Sequence, residues 1–307
     1  MDDLLSGIVT ALLTPFRDDG ARVDEAVLRE LVTGAISGGV SGLAVCGSTG
    51  EFASLDVEER KRVVEIVIDA AAGRVPVICN TGSTRLAEVL DLSRHAESAG
   101  VSAIMAVQPY YEPMQADEVF DYFRSISSAV NIPVVIYNIP SCSGTNIVPA
   151  LASRMSRALW NIRYIKDSSG DFAQLLTLIC RYSDDITTLI GWDTLTFSAL
   201  ALGCKGAILG AANIVPEPCV KLYELVRAGR HEEAQGLWRR LYPLIEFLGS
   251  AGYIASVKAG ARLRGFAVGD PRPPYRPLSP QQEEKLRHLL IDAGALDYPH
   301  TIVNSPQ

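Results

Sequence analysis

The chain has 307 residues, 48% of them hydrophobic and 21% charged, the balance of an ordinary globular protein with room for one large α/β domain or two small ones. Its formal net charge of −7 and pI near 5.2 argue against nucleic acid or an anionic membrane as the main partner, and leave a small acidic ligand in a local pocket open. The six cysteines (Cys46, Cys79, Cys142, Cys180, Cys204, Cys219) form no C-x-x-C pair and have no histidines at zinc-ligand spacing, so free thiols in a reducing compartment and no metal site are expected.

The N-terminus, Met-Asp-Asp-Leu-Leu-Ser-Gly, lacks the basic and long apolar regions of a signal peptide. No apolar run approaches the roughly 20 residues that span a bilayer. A cytoplasmic protein is expected. From there short apolar runs alternate with amphipathic segments. Strands are predicted at 7–13, 42–46, 76–80, 102–107, 133–138, 162–166, 187–191 and 206–209. Helices are predicted at 24–38, 55–72, 84–99, 115–129, 147–159, 171–182, 194–203 and 216–228. Asp24, Asp56 (with Glu59 three residues on) and Ser83 stand where helices should begin, and Gly100, Gly203 and Gly229 where they should stop. Eight strands alternating with eight helices predict a (β/α)8 barrel over residues 1–229. The competing doubly wound sheet usually carries a G-x-G-x-x-G turn after its first strand, and this chain has Leu13-Thr-Pro-Phe16 there. Beyond residue 230 the strand pattern stops. Helices at 231–248, 251–264 and 280–293 make a C-terminal helical extension, 230–307, interrupted by the rigid connector Asp270-Pro-Arg-Pro-Pro-Tyr-Arg-Pro277.

A barrel gathers reactive groups at the C-terminal ends of its strands. The sixth strand ends in Ile165-Lys166-Asp167. Burial strips water from an ammonium and favours the neutral amine, a nucleophile toward ketones; the plainer alternative is a lysine that snorkels out to pair with Asp167. The preceding strand ends in Tyr137-Asn-Ile-Pro140, 29 residues earlier. That is one βα unit, so phenol and amine can meet at neighbouring strand ends. The second strand ends in Gly47-Ser48-Thr49-Gly50-Glu51, whose hydroxyls and freed amides suit a carboxylate or phosphate. The fourth ends in Gln108-Pro-Tyr-Tyr111-Glu-Pro113. None of the four histidines (His95, His231, His288, His300) has a catalytic setting, so tyrosine and lysine are the expected proton carriers.

Thr10-Ala-Leu-Leu-Thr-Pro-Phe16, Gly47-Ser-Thr-Gly-Glu51, Pro109-Tyr-Tyr111, Tyr137-Asn-Ile-Pro140, Ile165-Lys-Asp167, Gly191-Trp-Asp193 and Gly206-Ala-Ile208 together resemble the dihydrodipicolinate synthase / N-acetylneuraminate lyase family of class I aldolases and lyases. The resemblance implies catalytic roles for Lys166 (Schiff base with a 2-oxo acid such as pyruvate), Tyr137 (proton shuttle), Ser48 (relay) and Tyr111 (lent across a dimer interface). It implies substrate contacts at Gly47, Thr49, Cys142, Asp193 and Ile208, no cofactor and no metal, and a homotetramer built as a dimer of dimers. Family synthases of the lysine pathway place an arginine two residues past the proline of Y-N-x-P, where this chain has Cys142. Sialic acid lyases carry an acidic residue and a serine where this chain has Thr194 and Gly210. A lyase acting on a 2-keto-3-deoxy sugar acid is therefore expected. Condensation of pyruvate with aspartate semialdehyde is the alternative, and a non-catalytic 2-oxo-acid binding protein a second one.

Overall fold

The computed structural model describes residues 4–297. Strands β1 (Gly7–Ala11), β4 (Gly42–Val45), β5 (Val77–Asn80), β6 (Ala103–Val107), β7 (Val134–Asn138), β8 (Ile162–Asp167), β9 (Thr187–Ile190) and β10 (Gly206–Leu209) close into a barrel. All neighbours are parallel, and β1 pairs with both β10 and β4. Helices α1 (Glu25–Ser37), α2 (Val57–Ala71), α3 (Leu86–Ala99), α4 (Ala116–Ser127), α6 (Pro149–Ala158), α7 (Phe172–Arg181), α8 (Thr196–Ala201) and α9 (Pro216–Arg227) alternate with the strands. Every strand and helix expected from the sequence is present, with ends within two residues. His300 lies outside the described residues.

Some short features escaped the sequence reading. A hairpin of two-residue strands, β2 (Phe16–Arg17) and β3 (Arg22–Val23), follows β1, and a four-residue helix, α5 (Pro140–Ser143), follows β7. Both are too short to show a period. The start of α3 also differs. Arg85 precedes the first helical residue, and Ser83 instead accepts a hydrogen bond from the Arg85 amide at 3.3 Å.

Strand alternation sorts the side chains into two layers. Val9, Ala44, Ile78, Met105, Val135, Tyr164 and Leu189 pack together inside the barrel, while the opposite faces join the helices in the main apolar cluster. The chain continues into α10 (His231–Ser250), α11 (Tyr253–Leu263) and α12 (Pro280–Asp292). Leu241, Leu244, Leu248, Val257 and Leu286 of these helices belong to that same main cluster, so the extension packs on the barrel's outer layer. Among the described residues, no helix is long and apolar enough to cross a membrane.

Candidate active site

Lys166 is the penultimate residue of β8 and shares the inward face with Tyr164. It is only 5% exposed. Asp167 must then face outward, where its carboxylate accepts from Asn138 Nδ2 at 2.9 Å, Ser169 Oγ at 2.9 Å and Gln174 Nε2 at 3.2 Å. Burial nonetheless pushes the Asp167 carboxyl above its ordinary value. The pairing of Lys166 with Asp167 is therefore not made, because adjacent strand residues point to opposite faces. In the β7–β8 register Tyr137 lies directly opposite Lys166. The Lys166 Nζ sits 4.0 Å from the centroid of the Tyr137 ring, a cation–π distance for the charged form and near-contact for the neutral amine. The Tyr137 hydroxyl in turn lies 3.3 Å from Ser48 Oγ.

These groups open into a cavity of about 590 Å³ at the C-terminal mouth of the barrel. Ser48, Thr49, Tyr137, Cys142, Lys166, Asp193 and Ile208 all line it, so seven of the expected site residues come together. Gly47 stands one residue behind Ser48 and is not part of the wall. Tyr111 does not reach this cavity either: it is 86% exposed on the β6–α4 loop. Lys166 is the only lysine or arginine among the described lining residues, which also include the carboxylates Asp193 and Glu246.

Sequence reasoning missed a whole wall. Ile245, Glu246, Gly249 and Ser250 of α10 and Tyr253 and Ile254 of α11 line the cavity opposite the strand ends. No barrel motif marks them, because they belong to helices remote in sequence. Tyr253 donates a hydrogen bond to Asp193 Oδ2. Burial pushes the Asp193 carboxyl up to about 6, opposed by the Tyr253 bond and by the charge of Lys166. The Tyr253 hydroxyl is pushed well up by its own burial and by the Asp193 charge. A Cβ on Gly210 would lie 2.3 Å from that hydroxyl, so the bare glycine at the end of β10 is what admits Tyr253. Among the described residues no histidine lines the cavity; His95, for one, meets Glu65 at 3.1 Å on the helical surface.

The Ser48–Thr49 loop is tightly tied. Thr14 Oγ1 donates to Gly50 O at 2.7 Å. The Glu51 amide donates to Ser48 O at 3.0 Å, and the Phe52 amide to Gly47 O at 3.3 Å. An amine at a buried phenol, a relay hydroxyl and an ordered hydroxyl pair can together attack a ketone, move its protons and hold an adjoining carboxylate.

The chain as a whole is similar to known proteins. The family model described as the dihydrodipicolinate synthetase family matches residues 4–293. The chain is 38% identical over 292 residues to the 4-hydroxy-tetrahydrodipicolinate synthase of Methanopyrus kandleri, covering 95% of this chain and 97% of that protein. It is 38% identical over 297 residues to the synthase of the same name from Pelobacter propionicus, covering 95% and 100%. Among solved structures it is similar to YagE, a prophage protein of the dihydrodipicolinic acid synthase family from E. coli K12 in complex with pyruvate. There the TM-score is 0.91 and the identity 31%, covering 96% of this chain and 100% of that one. The dihydrodipicolinate synthase of Aquifex aeolicus superposes with a TM-score of 0.90 at 30% identity, covering 95% and 99%. This chain belongs to the dihydrodipicolinate synthetase family of pyruvate-dependent, Schiff-base-forming lyases and synthases.

Proposed function

We propose that Lys166 forms the Schiff base of this enzyme with the 2-oxo group of pyruvate or a pyruvate-derived acid. The observation that carries the proposal is the Lys166 amine held 4.0 Å from the Tyr137 ring, with the Tyr137 hydroxyl 3.3 Å from Ser48. The neutral amine attacks C2 and a proton passes to the new alkoxide oxygen. Water then leaves the carbinolamine, and the C=N⁺ iminium forms. Tyr137 and Ser48 carry the protons of these steps, in place of histidine. Ser48 and Thr49 hold the substrate carboxylate through hydroxyl and amide donors. The iminium withdraws electrons from C3. Loss of a C3 proton gives an enamine that attacks an aldehyde; reversal of the same step cleaves the C3–C4 bond.

For the second reactant, the relatives support aspartate semialdehyde, since the full-length proteins at 38% identity carry the name 4-hydroxy-tetrahydrodipicolinate synthase. One specific observation favours the second reading, a 2-keto-3-deoxy sugar acid. An aldehyde bearing its own carboxylate calls for a cationic partner, whereas Lys166, already engaged as the nucleophile, is the only lysine or arginine of the described wall and Asp193, Glu246, Thr194 and Ser250 offer groups suited to hydroxyls. Two assays decide. Borohydride added with pyruvate should leave a reduced adduct on Lys166, read by peptide mass spectrometry; an unlabelled lysine refutes the Schiff base. Condensation with aspartate semialdehyde, run beside pyruvate release and water loss from a panel of 2-keto-3-deoxy acids, then selects the reaction.

A further inference from the structure

Glu51 closes the Ser48–Thr49 loop, and its backbone is left-handed, with φ 56°. Its side chain turns away from the cavity into the protein. There Lys258, in the middle of α11, places Nζ 2.6 Å from Glu51 Oε1, and both side chains are completely buried. The other carboxylate oxygen accepts the Arg272 backbone amide at 2.9 Å. Lys258 Nζ also donates to Asp270 O at 3.1 Å and lies 4.0 Å from the Phe16 ring centroid. The Arg272 guanidinium approaches that ring at 4.3 Å and pairs with Glu59 at 2.5 Å. Helix α11 is buried over seven consecutive residues, Ala255 to Ala261, and Lys258 is the only charged one.

A buried ion pair is a poor device for stability, since desolvation offsets most of the attraction and an apolar pair of similar volume does as well or better. It is a good device for fixing a geometry, because a displaced partner leaves a charge unpaired in a medium of low dielectric. Here the fixed object is the backbone two residues from Thr49. We infer that Lys258 and Glu51 are positioning residues, a buried clamp through which the C-terminal helices hold the Ser48–Thr49 loop in its carboxylate-binding shape. The inference rests on the proposal that this loop holds the substrate carboxylate.

The clamp has its own pH dependence. Burial draws the Lys258 ammonium down to about 8, opposed by Glu51 and Asp270 and aided by the Arg272 charge. Above that pH the charge-assisted bond to Glu51 becomes an ordinary one, about half as strong. In Glu51→Gln, a single amide oxygen faces two donors, Lys258 Nζ and the Arg272 amide, so one of them meets an N–H₂ group instead of an acceptor.

The test reads the pyruvate concentration that half-saturates borohydride labelling of Lys166, in wild type, E51Q and K258R, from about pH 6 to about pH 10. Wild-type half-saturation should climb above about pH 8. E51Q should need roughly tenfold more pyruvate already at neutral pH, with unchanged labelling at saturation and no further climb. K258R, whose charge persists, should stay flat to the alkaline end. A role confined to stability would move the melting temperature and leave these profiles alone. A folded E51Q with wild-type half-saturation overturns the inference, and so does a flat wild-type profile, which decides the matter even if neither variant folds. A wild-type chain that takes no label refutes the Schiff base itself, and the clamp's role with it.

Discussion

Gly191 is the residue that gives Lys166 its place. A Cβ there would lie 2.6 Å from Lys166 Cε and 2.2 Å from Ser168 Oγ, closer than any real contact. The G191A substitution should therefore swing the amine away from Tyr137 and lower kcat/KM by about a hundredfold, the usual consequence of an ångström-scale misplacement. Steady-state kinetics beside a melting curve checks this, and a drop in activity without a large loss of stability is the expected pattern. Asp193 supplies a prediction in pH. Its unfolded carboxyl titrates near 3.8 and its folded one near 6, so the folded state binds the extra proton in between. Its stabilising contribution is complete below about pH 4 and is lost as pH rises through about 6. Asn at this position does not titrate. D193N should thus gain on wild type across that window, by an amount on the order of 3 kcal/mol, read from denaturation midpoints at its two ends.

At the scale of elements, helix starts are set locally. Asp56 accepts from the Glu59 amide at 2.8 Å while Glu59 reaches back to the Asp56 amide at 3.1 Å, a complete capping box on α2. The Glu59 carboxylate also binds Arg272, which holds it below its ordinary value. Replacing Asp56 by Ala should cost about 1 kcal/mol, the usual worth of such a cap. It should lower the urea midpoint at unchanged slope. The box was legible in the sequence because its partners are three residues apart. The link to Arg272 was not, because its partners lie more than two hundred positions apart.

For the whole molecule, the telling residue is Tyr111. It stands 86% exposed between prolines at 109 and 113, outside the cavity of its own chain. We propose, from the resemblance, that it completes the site of a neighbouring subunit within a dimer of dimers. Light scattering should then give about four times the 33.1 kDa chain mass. Y111F and K166A should each lose activity alone. Co-expressed, they should recover part of it, because some interfaces then pair an intact Lys166 with an intact Tyr111. No recovery would place Tyr111 outside the reaction.

The sequence by itself determined the barrel, its strand order and the motif residues at the strand ends. Those signals are local: a period of two or 3.6, a cap, a run such as Tyr137-Asn-Ile-Pro140. A parallel barrel with its reactive groups at one mouth follows from that alternation, and Lys166 beside Tyr137 follows from their one-unit separation. Only the tertiary structure decided which face each residue takes, so that Lys166 points into the cavity and Asp167 away from it. Only it showed that α10 and α11 form the far wall, that Tyr253 occupies the space Gly210 leaves open, and that Lys258 is locked to Glu51. Each of these contacts joins side chains from segments distant in sequence. Burial and proximity across such distances arise from packing, and no periodicity along the chain encodes them.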